Sequence, residues 1–281
     1  MSTNTAPIET FLADYQVPNY LVDHVSLHFD LDRSDTKVRS VLSMRRNPEG
    51  QGGDCILDGE QMTLVSIKLD GKPLQGNEYQ RTDKSLLISA VPEQFDLEIE
   101  TLIHPDKNTA LEGLYHSGSL LCTQCEAEGF RRITYYPDRP DVMSVFTVSI
   151  AADKAEWPIM LSNGNLEKQG QFEDGRHWVR WHDPHPKPAY LFALVAGDLH
   201  RQKDSFITQS GRQVTLEIYV DPENSHKCDH ALMSLKQAMK WDEETYGREY
   251  DLDVFMIVAV NDFNMAQWKI KGSISSIPHV F

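Results

Sequence analysis

The sequence predicts a mostly β fold, with an antiparallel β-sandwich or saddle-like domain first and the incomplete start of a mixed α/β domain after it. Three observations carry this. Apolar and polar residues alternate through short segments over the first two-thirds of the chain. Gly, Asp and Asn punctuate those segments, and no long helical pattern interrupts them. Beyond about residue 199 the texture changes to one strand, one helix and one near-continuous apolar strand.

In chain order, Leu21, Val25, Leu27, Phe29 and Leu31 fall on alternate positions. So do Val65, Ile67 and Leu69, and then Phe95, Leu97 and Ile99. Asp70-Gly71 and Asn163-Gly164 are hairpin signals, because both pairs tolerate the left-handed backbone that tight turns need. Residues 145–150 form a β-branched run, and residues 177–181 alternate again. The last strand of the first domain is expected at 190–196, closed by Gly197-Asp198. Residues 214–220 give one more strand. A helix is expected over 225–246, with Leu232, Leu235, Ala238, Met239 and Trp241 at three- and four-residue spacing. Asp221 or Ser225 caps its start in this reading, and Gly247 its end. Residues 253–260 are near-continuously apolar, as in a strand buried on both faces.

Composition narrows the function classes. The 281 residues suffice for one large or two ordinary domains. A net charge of −15 argues against nucleic acid or an anionic membrane surface as a partner. No apolar stretch approaches the roughly 20 residues that span a bilayer. The first twelve residues lack the basic-then-apolar layout of a secretory signal. Four cysteines do not make a disulfide framework. The expectation is a cytoplasmic protein with reduced thiols.

The densest chemistry lies in residues 122–142, where carboxylates, a carboxamide, arginines, prolines and two tyrosines sit between strand-like segments. That run reads as a binding loop. Gln124, Glu126 and Glu128 offer a cation charge-assisted hydrogen bonds, and equally offer ion pairs to Arg131, Arg132 and Arg139. Cys122 and Cys125 are half of a zinc knuckle or a redox pair, without a second pair to complete it. His226 and His230 are four apart, but Lys227 stands where a metalloprotease helix carries its general-base Glu. A solvated helix start accounts for them. No catalytic residue and no metal ligand is recognised, and nothing resembles a nucleophile triad, a phosphate loop or a nucleotide fingerprint.

Residues 108–115, 123–142, 188–198, 240–244 and 251–260 together resemble the bacterial aminopeptidase N family of zinc metallo-aminopeptidases, the gluzincins. The resemblance implies an amino-terminal β-domain over 1–198 and the beginning of a thermolysin-like catalytic domain over 199–265. It implies that Gln124 and Glu126 hold the free α-amine of a peptide substrate. It also implies Zn2+ as the family cofactor, held by a His-Glu-x-x-His helix that this chain does not contain. A second family signature, Gly-Ala-Met-Glu-Asn, supplies another carboxylate to the amine. After Asn264-Met265 the chain instead reads Ala-Gln-Trp-Lys-Ile-Lys-Gly, with Lys269 in place of that Glu. An ammonium there would repel the substrate's own. Deleting one G from the first glycine codon of the family sequence reproduces residues 265–272, so 266–281 is expected to be an out-of-frame tail. The reading is an aminopeptidase N-like chain that is truncated and inactive alone. Two others stay open: a non-catalytic module binding peptide amino termini, and an unrelated metal-binding protein using Cys122, Cys125, His226 and His230.

Overall fold

The structure, a computed structural model, describes residues 11–260. Lys269 and the expected tail at 266–281 lie outside the described residues.

The chain begins with β1 (Tyr20–Asp30), β2 (Thr36–Arg46), β3 (Cys55–Asp58), β4 (Thr63–Leu69), β5 (Lys72–Pro73) and β6 (Tyr79–Arg81). It continues through β7 (Ser85–Ile88), β8 (Gln94–Ile103), β9 (Gly113–Ser117), β10 (Leu120–Gln124), β11 (Ser144–Asp153) and β12 (Ile159–Ser162). Then come β13 (Asn165–Gln171), β14 (Arg176–Lys187), β15 (Leu194–Gly197), β16 (His200–Ile207) and β17 (Gln213–Val220). The helix α1 (Cys228–Tyr246) and β18 (Val254–Val258) complete the described elements.

Eight strands form the large sheet in the order β13-β14-β11-β1-β2-β8-β4-β5. A four-stranded sheet, β12-β15-β10-β9, carries the candidate site, and β3-β7-β6 and β16-β17-β18 form two smaller sheets. The mostly β reading holds. Pairing is antiparallel except at β1 with β11 and β17 with β18.

The main core lies between the large and four-stranded sheets. Phe29 and Phe146 of the large sheet meet Phe192 at 6.0 and 6.1 Å between ring centroids, and Phe130 meets Phe192 edge-on at 5.4 Å. Edge-on aromatic pairs of this kind contribute about 0.5–1.5 kcal/mol beyond their buried area. A second cluster joins Leu216, Ile218 and Ile257 to Leu232, Leu235 and Met239 of α1.

Several expectations change in detail. In β1 the register shifts between Val22 and His24, so Tyr20 and Val22 are buried before the bulge while Leu21 turns to the other face. A second shift, between Leu64 and Ser66, leaves Val65 51% exposed. One extra residue reverses the parity of everything before it. Asp70-Gly71 does turn β4 into β5, with φ of +48° and +76°. Asn163-Gly164 makes no hairpin, because β12 and β13 belong to different sheets. The backbone of β14 passes so close that a Cβ on Gly164 would lie 2.1 Å from the His182 carbonyl oxygen.

The strand expected over 190–196 is shorter, Leu194–Gly197, and follows a 3-10 turn at Ala189–Leu191. Asn163 explains this: its amide donates to the Leu191 carbonyl at 3.1 Å and accepts from the Ala193 N–H at 2.7 Å. The helix also starts later than expected. A 3-10 stretch, Pro222–Lys227, runs directly into α1 with no side-chain cap, while Gly247 ends it in the left-handed conformation.

Candidate functional site

Gln124 is the last residue of β10 and pairs with Gly113 of β9. Its side chain is buried, and its amide donates to the Glu126 carbonyl at 3.2 Å. The chain then turns tightly, with a cis peptide bond between Glu126 and Ala127 and the Gly129 N–H closing onto the Cys125 carbonyl at 2.8 Å. Only glycine fits at 129, since a Cβ there would sit 2.4 Å from the Gln124 carbonyl oxygen. Glu126 is half-buried at the head of this turn. Among the described residues no side chain pairs with its carboxylate.

The arginines pair elsewhere. Arg131 binds Asp138 at 3.2 Å and Glu128 at 3.3 Å, Arg132 binds Glu112 at 3.0 Å, and Arg139 binds Asp141 at 2.7 Å. So Glu128, the third candidate cation ligand, is an exposed ion-pair partner.

The second half of the run is not a surface loop. Phe130, Ile133, Thr134, Tyr135 and Tyr136 are all buried. Thr101 donates to the Ile133 carbonyl at 2.8 Å, and the Tyr136 hydroxyl lies 2.7 Å from that of Ser144. This half is the structural floor on which the 124–126 turn stands.

Asp58, at the end of β3, is a residue that sequence reasoning missed. Its backbone exchanges hydrogen bonds with Tyr136, and its carboxylate accepts the Asp138 N–H at 3.1 Å. Burial lifts the Asp138 carboxyl to about 6, opposed by its bonds from Arg131. Burial also works to lower the Arg131 pKa, yet the Asp58 and Asp138 carboxylates hold it above its ordinary value. No local pattern marks Asp58, because its partners lie about eighty positions along the chain.

The cysteine and histidine candidates do not converge. Cys122 and Cys125 are buried, and burial pushes the Cys125 thiol well up, away from the thiolate that metal binding or redox exchange requires. His226 sits in the 3-10 stretch and His230 in α1, both exposed, so they do not share one helix face. Among the described residues no three His, Cys, Asp or Glu side chains come together as a metal site. The described residues do not fit zinc.

The Peptidase M1 N-terminal domain family matches residues 18–191. Aminopeptidase N of Escherichia coli (strain K12) is 51% identical over 266 residues, 95% of this chain and 30% of that protein. The Caulobacter vibrioides aminopeptidase N is 52% identical over 97% of this chain and 31% of its own length. Legionella pneumophila aminopeptidase A, solved with aspartic acid, superposes with a TM-score of 0.90 at 38% identity, covering 95% of this chain and 31% of that one. The chain thus spans about a third of the length of these relatives. Through its amino-terminal domain, it belongs to the M1 peptidase family.

Proposed function

We propose that this chain is the amino-terminal region of a zinc aminopeptidase of the aminopeptidase N type, in which Gln124 and Glu126 anchor the substrate's free α-amine. The observation that carries this reading is the Glu126 carboxylate. It stands at a tight turn beside buried Gln124, while every neighbouring arginine is already paired. An ammonium group donates three hydrogen bonds and suits one carboxylate and one amide oxygen. The partner is therefore a peptide with a free amino terminus.

The domain division proposed is 1–198 for the amino-terminal β-domain and 199–265 for the beginning of the catalytic domain. The separate sheet of β16–β18 with its own helix-covered cluster supports it. A cytoplasmic location is supported by four free, buried cysteines. No helix among the described residues is long and apolar enough to cross a membrane.

Zinc, where the family uses it, polarises the scissile carbonyl and activates water. This chain's described residues offer it no ligand set, so they bind and orient but do not hydrolyse. Incubating the purified chain with an alanyl chromogenic substrate and zinc is expected to give no turnover above the buffer rate. Turnover that a chelator abolishes would contradict this.

A further inference from the structure

A groove of about 800 Å3 opens between β12–β14 on one side and the face of β16–β18 on the other. Neither Gln124 nor Glu126 lines it. Its volume is in the range of small-molecule sites. Ile159, Leu166 and Trp181 make one wall apolar, and Leu166 is 42% exposed with no role in either hydrophobic cluster.

The opposite wall is cationic. Arg201 pairs with Tyr219 and Lys203 with Glu217 across the β16–β17 ladder, so the two-residue period puts both cations on one face. The acid between them, Glu217, is buried. One of its oxygens accepts the Tyr219 hydroxyl at 2.6 Å. The other lies 3.5 Å from the Lys203 ammonium and 3.8 Å from the Arg201 guanidinium. Those contacts are long. An arginine carries five donors and a lysine three, so both heads keep unused donors. Their side chains are 54% and 59% exposed. Asp253, at one end of the groove, has its charge answered from outside it: its carboxylate lies 3.6 Å from the Arg212 guanidinium and accepts from the Asn165 amide at 3.0 Å, and its N–H donates back to Asn165 at 3.1 Å. Two cations against one buried acid leave excess positive charge beside an apolar wall, in a chain whose net charge is −15. Such a local reversal of sign draws anions to itself.

We propose that this groove binds small organic acids that pair a carboxylate with an aryl or aliphatic body. The carboxylate lies between Arg201 and Lys203, and the body packs on Leu166 and Trp181. The site is independent of the amine anchor and stands whether or not that reading does.

The test is an NMR titration of the full 281-residue chain with 4-phenylbutyrate. The Trp181 indole N–H, which donates to the Met160 carbonyl at 3.2 Å, serves as reporter. A saturable shift at this resonance with Kd of about 1 mM or tighter is expected. Arg201→Ala and Lys203→Ala should each weaken binding about tenfold, the size of one lost charge-assisted hydrogen bond. Leu166→Ser should weaken it as well. Lys168→Ala, on β13 but outside the groove, should leave it unchanged. The uncharged 4-phenylbutyramide should bind at least about tenfold more weakly. The proposal is overturned by a flat titration, by equal binding of the amide, or by indifference to both cation substitutions.

Discussion

The two hydrophobic clusters of this molecule are built differently. The main one is closed by two sheets and draws on strands far apart in sequence, from Tyr20 of β1 to Leu194 of β15. The second lies under a single helix, and most of it comes from residues 214–239. Between them stands the β16–β18 sheet, which serves both: Tyr219, Met256 and Val258 face the main core, while Leu216, Ile218 and Ile257 face α1. The helix leaves Trp241 54% and Tyr246 63% exposed, whereas the aromatic residues at the centre of the main core are fully covered. A region with one thin cover opens before one enclosed on both sides. The candidate amine anchor rests on the enclosed region.

The largest expected effect breaks the main cluster. Phe130→Ala removes the ring that meets Tyr136, Phe146 and Phe192, and should cost about 3–5 kcal/mol in urea unfolding. A cost under about 1 kcal/mol would show that the site floor is not part of that core. Leu232→Ala, in the second cluster, should cost about 2–3 kcal/mol. Amide exchange should then quicken in α1 and leave β1 and β11 unchanged. Uniform quickening across both regions would dissolve the distinction between them.

The smallest effect sharpens the comparison from the solvent face of the large sheet. Glu98 is held down to about 2 by hydrogen bonds from Arg39 at 2.6 Å and Lys68 at 2.7 Å. A carboxyl whose folded pKa is depressed contributes stability above its ordinary value, and loses it as pH falls toward the folded one. The window is therefore about pH 4.5 down to about 2. Because both cations keep solvent contact, with side chains 49% and 37% exposed, the loss should stay under about 1 kcal/mol. Glu98→Gln should remove that part of the acid slope, and an unchanged slope would refute the assignment.

Much of the fold was legible in the residues. Phe95, Leu97 and Ile99 alternate because one face of β8 is buried, and Gly247 ends α1 because it alone enters the left-handed region without strain. The errors share a cause. Bulges at Val22/His24 and Leu64/Ser66 are single-residue events set by strand neighbours that no local window contains. Asn163-Gly164 has turn chemistry, but whether a turn joins partners in one sheet is decided by the rest of the chain. At the site, family resemblance nominated Gln124 and Glu126, and the structure brings the two together at one tight turn. The ion pairing of Glu128 was legible as one of two alternatives. That Phe130 and residues 133–136 would be core was not, since burying the Thr134 and Tyr136 hydroxyls needs Ser40 and Ser144 as partners from elsewhere in the chain.

The central claim is that Gln124 and Glu126 recognise an ammonium group. It is tested most directly by following their amide resonances as the chain is titrated with L-alaninamide, and separately with N-acetyl-L-alaninamide. The free amine should give saturable shifts at both residues, lost in Glu126→Gln, and the acetylated compound should give none. Equal shifts from both compounds, or none from either, would contradict the claim.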